Sequence, residues 1–479
     1  MSAMRTLVHG GTVVSATGRR RADVLIEGER IVALLAGDDR GTTDRAIGDE
    51  RVDRVIDATG RYVLPGGVDV HTHLELPVSG TVSADDYTTG TRAALLGGTT
   101  TIVDYAGQDR GGGLLEGVER WRARAAGRTC CDHAFHLMVT DVRPDVLEEM
   151  ADVVAAGVTS FKLFTAYPDT NYSDDGRILA AMQRCAQLGA TVMMHAENGI
   201  AIDVLRAQAI ARGDTDPIHH LLTRPVSFEA EAVHRAVVLA EVAGCELVIV
   251  HISSADALDE AVAGRDRGLP VFAETCPQYL WLAVEDVPDG IDGARLVCSP
   301  PLRWRCDGHQ DRLWDGIATG RVDVVATDHC PFTWDDKLRG RGDFTRIPNG
   351  VGVIEHRMDL LHQGVVDGRL SLERFVEVAC TAPARLAGLH PRKGELAVGA
   401  DADLVVYDPT ATHRLSALTH HMAVDHSAFE GLEVTGRTET VLLRGHVVVE
   451  DGEHVGAPGD GREVARGPNT LPMAERGGA

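Results

Sequence analysis

The chain has 479 residues, with 47 Lys plus Arg against 71 Asp plus Glu and a formal net charge of −24. That length exceeds one ordinary core and predicts a large domain with a smaller companion, while the acidic surplus would repel nucleic acid and anionic membranes. No run of about 18 uncharged apolar residues occurs, the opening "MSAMRTLVHGGTVVSA" has no signal-peptide core, and the nine cysteines include no CxxC pair, so a soluble cytoplasmic protein with reduced thiols is expected.

From the amino terminus, "TLVHGGTVVSA", "ADVLIEGERIVALL" and "RVIDATGRYVLPG" are short β-type runs divided by Gly and Asp turns. The texture then changes. "GGVDVHTH", "TTIVDYA", "AFHLMVT", "SFKLFTA", "ATVMMHAEN", "ELVIVHISS", "VFAETCP" and "VDVVATDH" are eight apolar runs, alternating with segments in which Ala, Leu, Arg and Glu recur at helical spacing. Eight strand-then-helix units predict an α/β fold, a (β/α)8 TIM-like barrel, over residues 63–394. Strands return in "GADADLVVYDP" and "ETVLLRGHVVVEDGEHVG", so residues 1–62 and 395–460 are expected to form one β-sandwich domain from both termini. Residues 461–479 are left as a tail, mobile or laid across a neighbouring subunit.

The run "VTSFKLFTAY" carries one lysine, Lys162, among Val, Phe, Leu, Thr and Ala. A buried ammonium is costly, so such a lysine is ion-paired, snorkels at the strand end, or takes part in chemistry. The other barrel strands point to chemistry, because barrel enzymes carry it at the carboxyl ends of their strands. The first strand ends in His71 and His73, two apart and therefore on one face. The fifth ends in His195, the sixth in His251 and the eighth in Asp328, which with Lys162 makes a metal site the expected reading. Four imidazoles and one aspartate are too many for one tetrahedral ion with an open position, and too few to hold and bridge two. A neutral Lys162 amine that adds carbon dioxide would become a carbamate, whose two oxygens could reach one ion each. Other groups read as ordinary: the pairs His219-His220 and His420-His421 are expected to be solvated or packed, His329 to support Asp328 or simply to be buried, Gly111 to Gly113 to be a loop, and Cys130-Cys131 to be buried small hydrophobes.

Beyond the ligand segments, the chain carries "PGGVDVHTHLELP", "GTVSADDYTTGTRAALLGGTTTIVDY", "HAEN", "ETCPQYL", "CSPPLR", "TDHCPF", "IPNGVGVIEHRM" and "HMAVDHSAFEGLEVTGRTETVLLRG". With these, nearly the whole chain resembles the cyclic amidohydrolases of the dihydropyrimidinase and hydantoinase group. The resemblance implies a barrel with an appended sandwich, two zinc ions per subunit bridged by a carboxylated Lys162, and a homotetramer, with a homodimer as the alternative. It assigns His71, His73 and Asp328 to the more buried ion and His195 with His251 to the other. It gives Tyr167 to the scissile carbonyl, the backbone of Ser299 and Asn349 to the ring amide, and Asp328 to proton transfer. The implied reaction opens a small cyclic amide or imide, a hydantoin or a dihydropyrimidine, to an N-carbamoyl amino acid. Departures lie in the pocket: the family usually has Met where Thr165 stands, and "PDTNY" differs from the common loop. Val78, Phe164, Asn171 and Tyr172 are expected to shape the exocyclic side-chain pocket. Allantoin opening is the rival activity, opposed by "LELPVSGT", which lacks the arginine-containing segment associated with allantoinases. Non-catalytic scaffolds of this fold lack several metal ligands, whereas all six positions are filled here.

Overall fold

The computed structural model describes residues 3–36 and 52–473. Eight parallel strands follow one another around the centre in chain order: Gly67–Thr72, Thr99–Gly107, Asp132–Met138, Ser160–Phe164, Thr191–His195, Leu247–Ile249, Val271–Thr275 and Val324–Val325. The eighth returns to the first through a parallel bridge between Thr72 and His329. Every residue of these strands is buried, which is why they read as continuous apolar runs rather than as alternating ones. One face packs under the helices; the other fills the barrel with Val68, Val70, Val103, Tyr105, Met193, Val248 and Phe272.

The helices between strands follow from ordinary local signals. In Asp175–Leu188, Asp174 caps the start by accepting from Arg177 N–H, and Gly189 ends the helix at φ 64°. Ile178, Ala181, Met182 and Cys185 form its buried stripe, the spacing that turns one face to the barrel. Among the described residues, no helix is long and apolar enough to cross a membrane.

Both termini build the second layer. Strand Tyr62–Pro65 pairs in parallel with Thr12–Ser15 and antiparallel with Leu404–Arg414. The long strand Gly18–Glu27 pairs with Thr12–Ser15 in its first half and with Arg5–His9 and Arg30–Ala36 in its second. Val8, Val24, Ile31, Val63, Leu404 and Leu442 share the core between them. Where this layer meets the barrel, Lys393 Nζ lies 2.6 Å from Asp132, 2.9 Å from Asp401 and 2.6 Å from Asp403.

The carboxyl-terminal segment departs from expectation. Residues 461–473 run across the amino-terminal end of the chain's own barrel: His133 N–H donates to Arg462 O at 2.9 Å and Val464 N–H to His133 O at 2.8 Å. Arg466 donates to Phe135 O at 2.7 Å and Ser160 Oγ at 2.8 Å. Unpaired strand ends and a buried guanidinium hold a stretch whose Pro and Gly content suggested a loose tail; residues 474–479 lie outside the described residues.

Candidate active site

Strands one and eight are locked together just below the site. Asp69 accepts from His71 N–H at 3.2 Å, Thr327 N–H at 3.1 Å and Thr327 Oγ1 at 2.6 Å. The turn after strand one is fixed by Asp104, which accepts from Thr72 Oγ1 at 2.8 Å, Leu74 N–H at 3.1 Å and Tyr87 Oη at 2.7 Å. Backbone geometry at two of the expected ligands is unusual: His251 has φ 44° and Asp328 φ 50°, a region non-glycine residues rarely enter and one concentrated at functional sites.

The side chains converge. His71 Nε2 lies 3.1 Å and His73 Nε2 3.2 Å from Asp328 Oδ1. His195 Nδ1 lies 2.9 Å from His251 Nε2. Lys162 Nζ stands 2.8 Å from His71 Nε2 and 4.2 Å above the Tyr105 ring, with no carboxylate in ion-pair range among the described residues. Donor atoms of His71, His251 and Asp328 all fall within 4.8 Å of one another. Burial pulls the His73 imidazole down to about 3 and lowers that of His251, favouring the neutral form that ligates metals. Burial also opposes charge on Asp328, yet His71 and His73 hold its carboxyl well below the ordinary 3.8. Lys162 is drawn by burial from 10.5 to about 8, with Asp328 and Glu274 opposing.

Two of the residues expected to line a pocket stand beside this cluster. Phe164 ends strand four with its ring stacked 5.7 Å from His195, and Tyr167 sits 5.1 Å from His195 and 6.3 Å from Phe164. Tyr167 has φ 61°; its carbonyl accepts the N–H groups of Thr170, Asn171 and Tyr172, so the "PDTNY" loop folds back onto it. Asn349 Nδ2 donates to Ser299 Oγ at 3.1 Å, bringing those two residues together. Val78 stands half-buried on a separate hairpin, Pro77–Val78 with Thr81–Val82, in the loop that follows strand one.

Known proteins resemble this chain over nearly its whole length. Residues 62–448 match the amidohydrolase family. A D-hydantoinase of Streptomyces coelicolor is 54% identical over 465 residues, 96% of this chain and 98% of that protein. A D-hydantoinase of Geobacillus stearothermophilus is 46% identical over 99% of each chain. The crystal structure of a dihydropyrimidinase from Brevibacillus agri superimposes with a TM-score of 0.93 at 44% identity, covering 98% of this chain and 100% of that one. The chain belongs to the amidohydrolase family. Within it, this is a cyclic amidohydrolase of the hydantoinase and dihydropyrimidinase group, built on a TIM barrel.

Amidohydrolases generally depend on metals, and this chain's donor set fits one. Glu274 Oε1, fully buried, lies 2.6 Å from His71 Nδ1, and Glu197 Oε2 lies 2.9 Å from His195 Nε2. Each carboxylate takes the outer ring N–H, so the opposite nitrogen presents its lone pair to the centre, the arrangement that orients histidine ligands.

Several residues that brace the cluster did not stand out in the sequence. Glu274 stands in the apolar run "VFAETCP" for the same reason that made Lys162 conspicuous, and that signal was available. Glu197 gave none beyond "HAEN". His220, expected to be solvated or packed, is packed behind Ser299: its Nε2 is 2.9 Å from Cys298 O and 3.4 Å from Ser299 Oγ. Thr165, the departure from the family's Met, donates to Glu197 O at 2.8 Å and accepts Glu197 N–H at 3.1 Å, pinning the segment after His195. His329 pairs with Asp85 at 3.0 Å and accepts from Val353 N–H at 3.0 Å. His421 pairs with Glu355 at 2.9 Å, while His420 meets His356 edge-on, 5.9 Å between centroids.

Proposed function

We propose that this enzyme adds water across the ring amide of 5-substituted hydantoins or dihydropyrimidines, giving N-carbamoyl amino acids, at a centre of two zinc ions. The observation that carries the reading is the convergence of the donor groups: His71 and His73 on Asp328, His195 2.9 Å from His251, His251 within 4.8 Å of His71 and Asp328, and Lys162 2.8 Å from His71. His71, His73 and Asp328 would hold one ion, His195 and His251 the other, and Lys162 would serve both as a carbamate. For that, the neutral amine attacks carbon dioxide and loses a proton, and an amine drawn down to about 8 is partly neutral near physiological pH. When bound, the ions would supply a water acidified from about 15.7 toward 7 and polarise the carbonyl.

The chain's own residues do the rest. Asp328 takes the proton from the attacking water and delivers it to the leaving ring nitrogen, the paired acid and base roles of one carboxylate. Tyr167 donates its hydroxyl to the oxygen on which charge develops; burial raises its pKa, which keeps that proton in place at neutral pH. Backbone atoms of Ser299 and Asn349 grip the ring amide, and Phe164, Val78, Asn171 and Tyr172 receive the 5-substituent. The D-hydantoinase relatives support D-selectivity. Free cysteines, eight of the nine buried, suit a reducing cytoplasm, and the resemblance supports a homotetramer. The test is turnover of dihydrouracil, dihydrothymine, 5-substituted hydantoins and allantoin by the zinc-loaded enzyme, with chiral analysis. N-carbamoyl-β-alanine from dihydrouracil, N-carbamoyl-β-aminoisobutyrate from dihydrothymine and D-N-carbamoyl amino acids from the hydantoins are expected; ring opening of allantoin alone would overturn the reading.

A further inference from the structure

Lys337 is a second lysine that the sequence hides and the fold buries. It closes the four-residue helix Trp334–Lys337 and has no exposed surface. Its ammonium meets no carboxylate among the described residues. Instead Nζ donates to Val297 O at 3.0 Å, Pro348 O at 2.9 Å and Gly350 O at 2.8 Å. Burial draws its pKa from 10.5 down to about 7, yet the three carbonyl oxygens around Nζ are matched only by the three donors of the ammonium form. Those carbonyls belong to two segments: Val297 is two residues before Ser299, and Pro348 and Gly350 flank Asn349. The segments also join each other, through Gly350 N–H to Val297 O at 2.9 Å and Asn349 Nδ2 to Ser299 Oγ at 3.1 Å. Gly350, at φ 145°, packs so closely on the segment after Asp328 that a Cβ there would lie 2.2 Å from Cys330 O. The neighbouring Asp336 accepts from Thr81 Oγ1 at 2.7 Å, on the hairpin that carries Val78.

We propose that Lys337 is a positioning residue for catalysis: its ammonium sets the spacing of the Ser299 and Asn349 segments, and so the grip on the ring amide. The inference rests on the ring-amide reading of those two residues. A buried ammonium is an expensive way to join loops, and its three-way fork has a use here that a neutral side chain cannot match: it holds three carbonyls of two segments at one point. Removing it frees the two segments to shift, and displacements of about 1 Å at a binding group are enough to weaken the hold on the ring amide, in ground and transition state alike.

The test compares Lys337→Met and Lys337→Gln with the wild type, all zinc-loaded, on dihydrouracil and on a 5-substituted hydantoin. Lys337→Met is expected to raise KM at least tenfold, by the same factor on both rings because both offer the same amide, with kcat changed by less than about threefold and zinc content unchanged. Lys337→Gln keeps two donors and should lose less, and it decides the matter if the Met variant does not fold. Wild-type KM in a foldable variant, with only the melting temperature lowered, would make Lys337 a structural plug. A KM increase confined to the substituted hydantoin would move its influence to the exocyclic pocket and overturn the proposal. Failure of the wild type to open either ring would instead sink the ring-amide reading, and this inference with it.

Discussion

Lys162 and Lys393 are buried almost equally, at 2% and 1% exposure, yet they sit in opposite surroundings. Lys393, at the junction of barrel and sandwich, lies within 2.9 Å of three carboxylates, and although burial opposes its charge, Asp403, Asp132 and Asp401 raise its pKa. Lys162, at the barrel mouth, faces an imidazole and two aromatic rings, and burial lowers its pKa to about 8. The two carboxylate-bearing clusters look alike as metal sites: Asp132, Asp401 and Asp403 also converge within 4.8 Å. There, however, the cation is already supplied by the chain. Burial of a lysine therefore says little about its task; the partners decide it. The consequence for stability has opposite signs. In the metal-free protein the unfolded chain holds the Lys162 proton more tightly than the fold does, so between about pH 8 and 10.5 this lysine makes stability rise with pH. Lys393 contributes stability below the ordinary 10.5 that is lost as pH rises through its raised folded value.

Breaking the junction should cost the fold and spare the chemistry. Lys393→Met leaves Asp132, Asp401 and Asp403 uncompensated by their shared ammonium and is expected to destabilise by about 3–5 kcal/mol, read from chemical denaturation, while zinc per folded subunit stays constant. Loss of zinc in that variant would erase the contrast between the two regions. At the mouth, Tyr167→Phe should lower kcat roughly 100 to 1000-fold, the scale of one oxyanion donor, with zinc content intact. Wild-type turnover would remove Tyr167 from the reaction. Glu274→Gln, which loosens His71 without touching the centre, should weaken zinc binding about 10 to 100-fold, measured by competition with a chelator; unchanged affinity would make Glu274 a packing residue. The smallest effect sharpens the comparison through pH: at fixed dissolved carbon dioxide, reactivation of metal-free enzyme by zinc should slow about tenfold per pH unit below about 8, as the neutral Lys162 amine is depleted. A rate independent of pH would mean that the neutral amine is not the reacting form.

The barrel and the residues gathered at its mouth were legible because period and position carry them. Strands buried on both faces leave continuous apolar runs, and a charged or imidazole side chain at the end of one stands out, as His71, His195, His251 and Lys162 did. Glu274 carried the same signal. What stayed hidden depends on tertiary partners: Lys337 sits in "TWDDKLRG", which reads as a solvated helix, and nothing local reveals the three carbonyls that surround it. His220 lies in an adjacent pair whose side chains diverge, so only the fold can say which of them meets Ser299. The segment around Arg466 looked loose because its partners, Phe135 and Ser160, are more than 300 residues away.

The carbamate at Lys162 is tested most directly by removing the side chain and returning a carboxylate. Lys162→Ala should fold, since little core is lost, but contain less zinc and no measurable activity, and Lys162→Arg should fail as well because its fixed positive charge faces the cations. Acetate or propionate, added with excess zinc to Lys162→Ala, is expected to restore partial, saturable turnover together with bound metal. Full zinc occupancy and wild-type turnover in Lys162→Ala without any added acid would contradict the account and leave Lys162 an ordinary buried lysine.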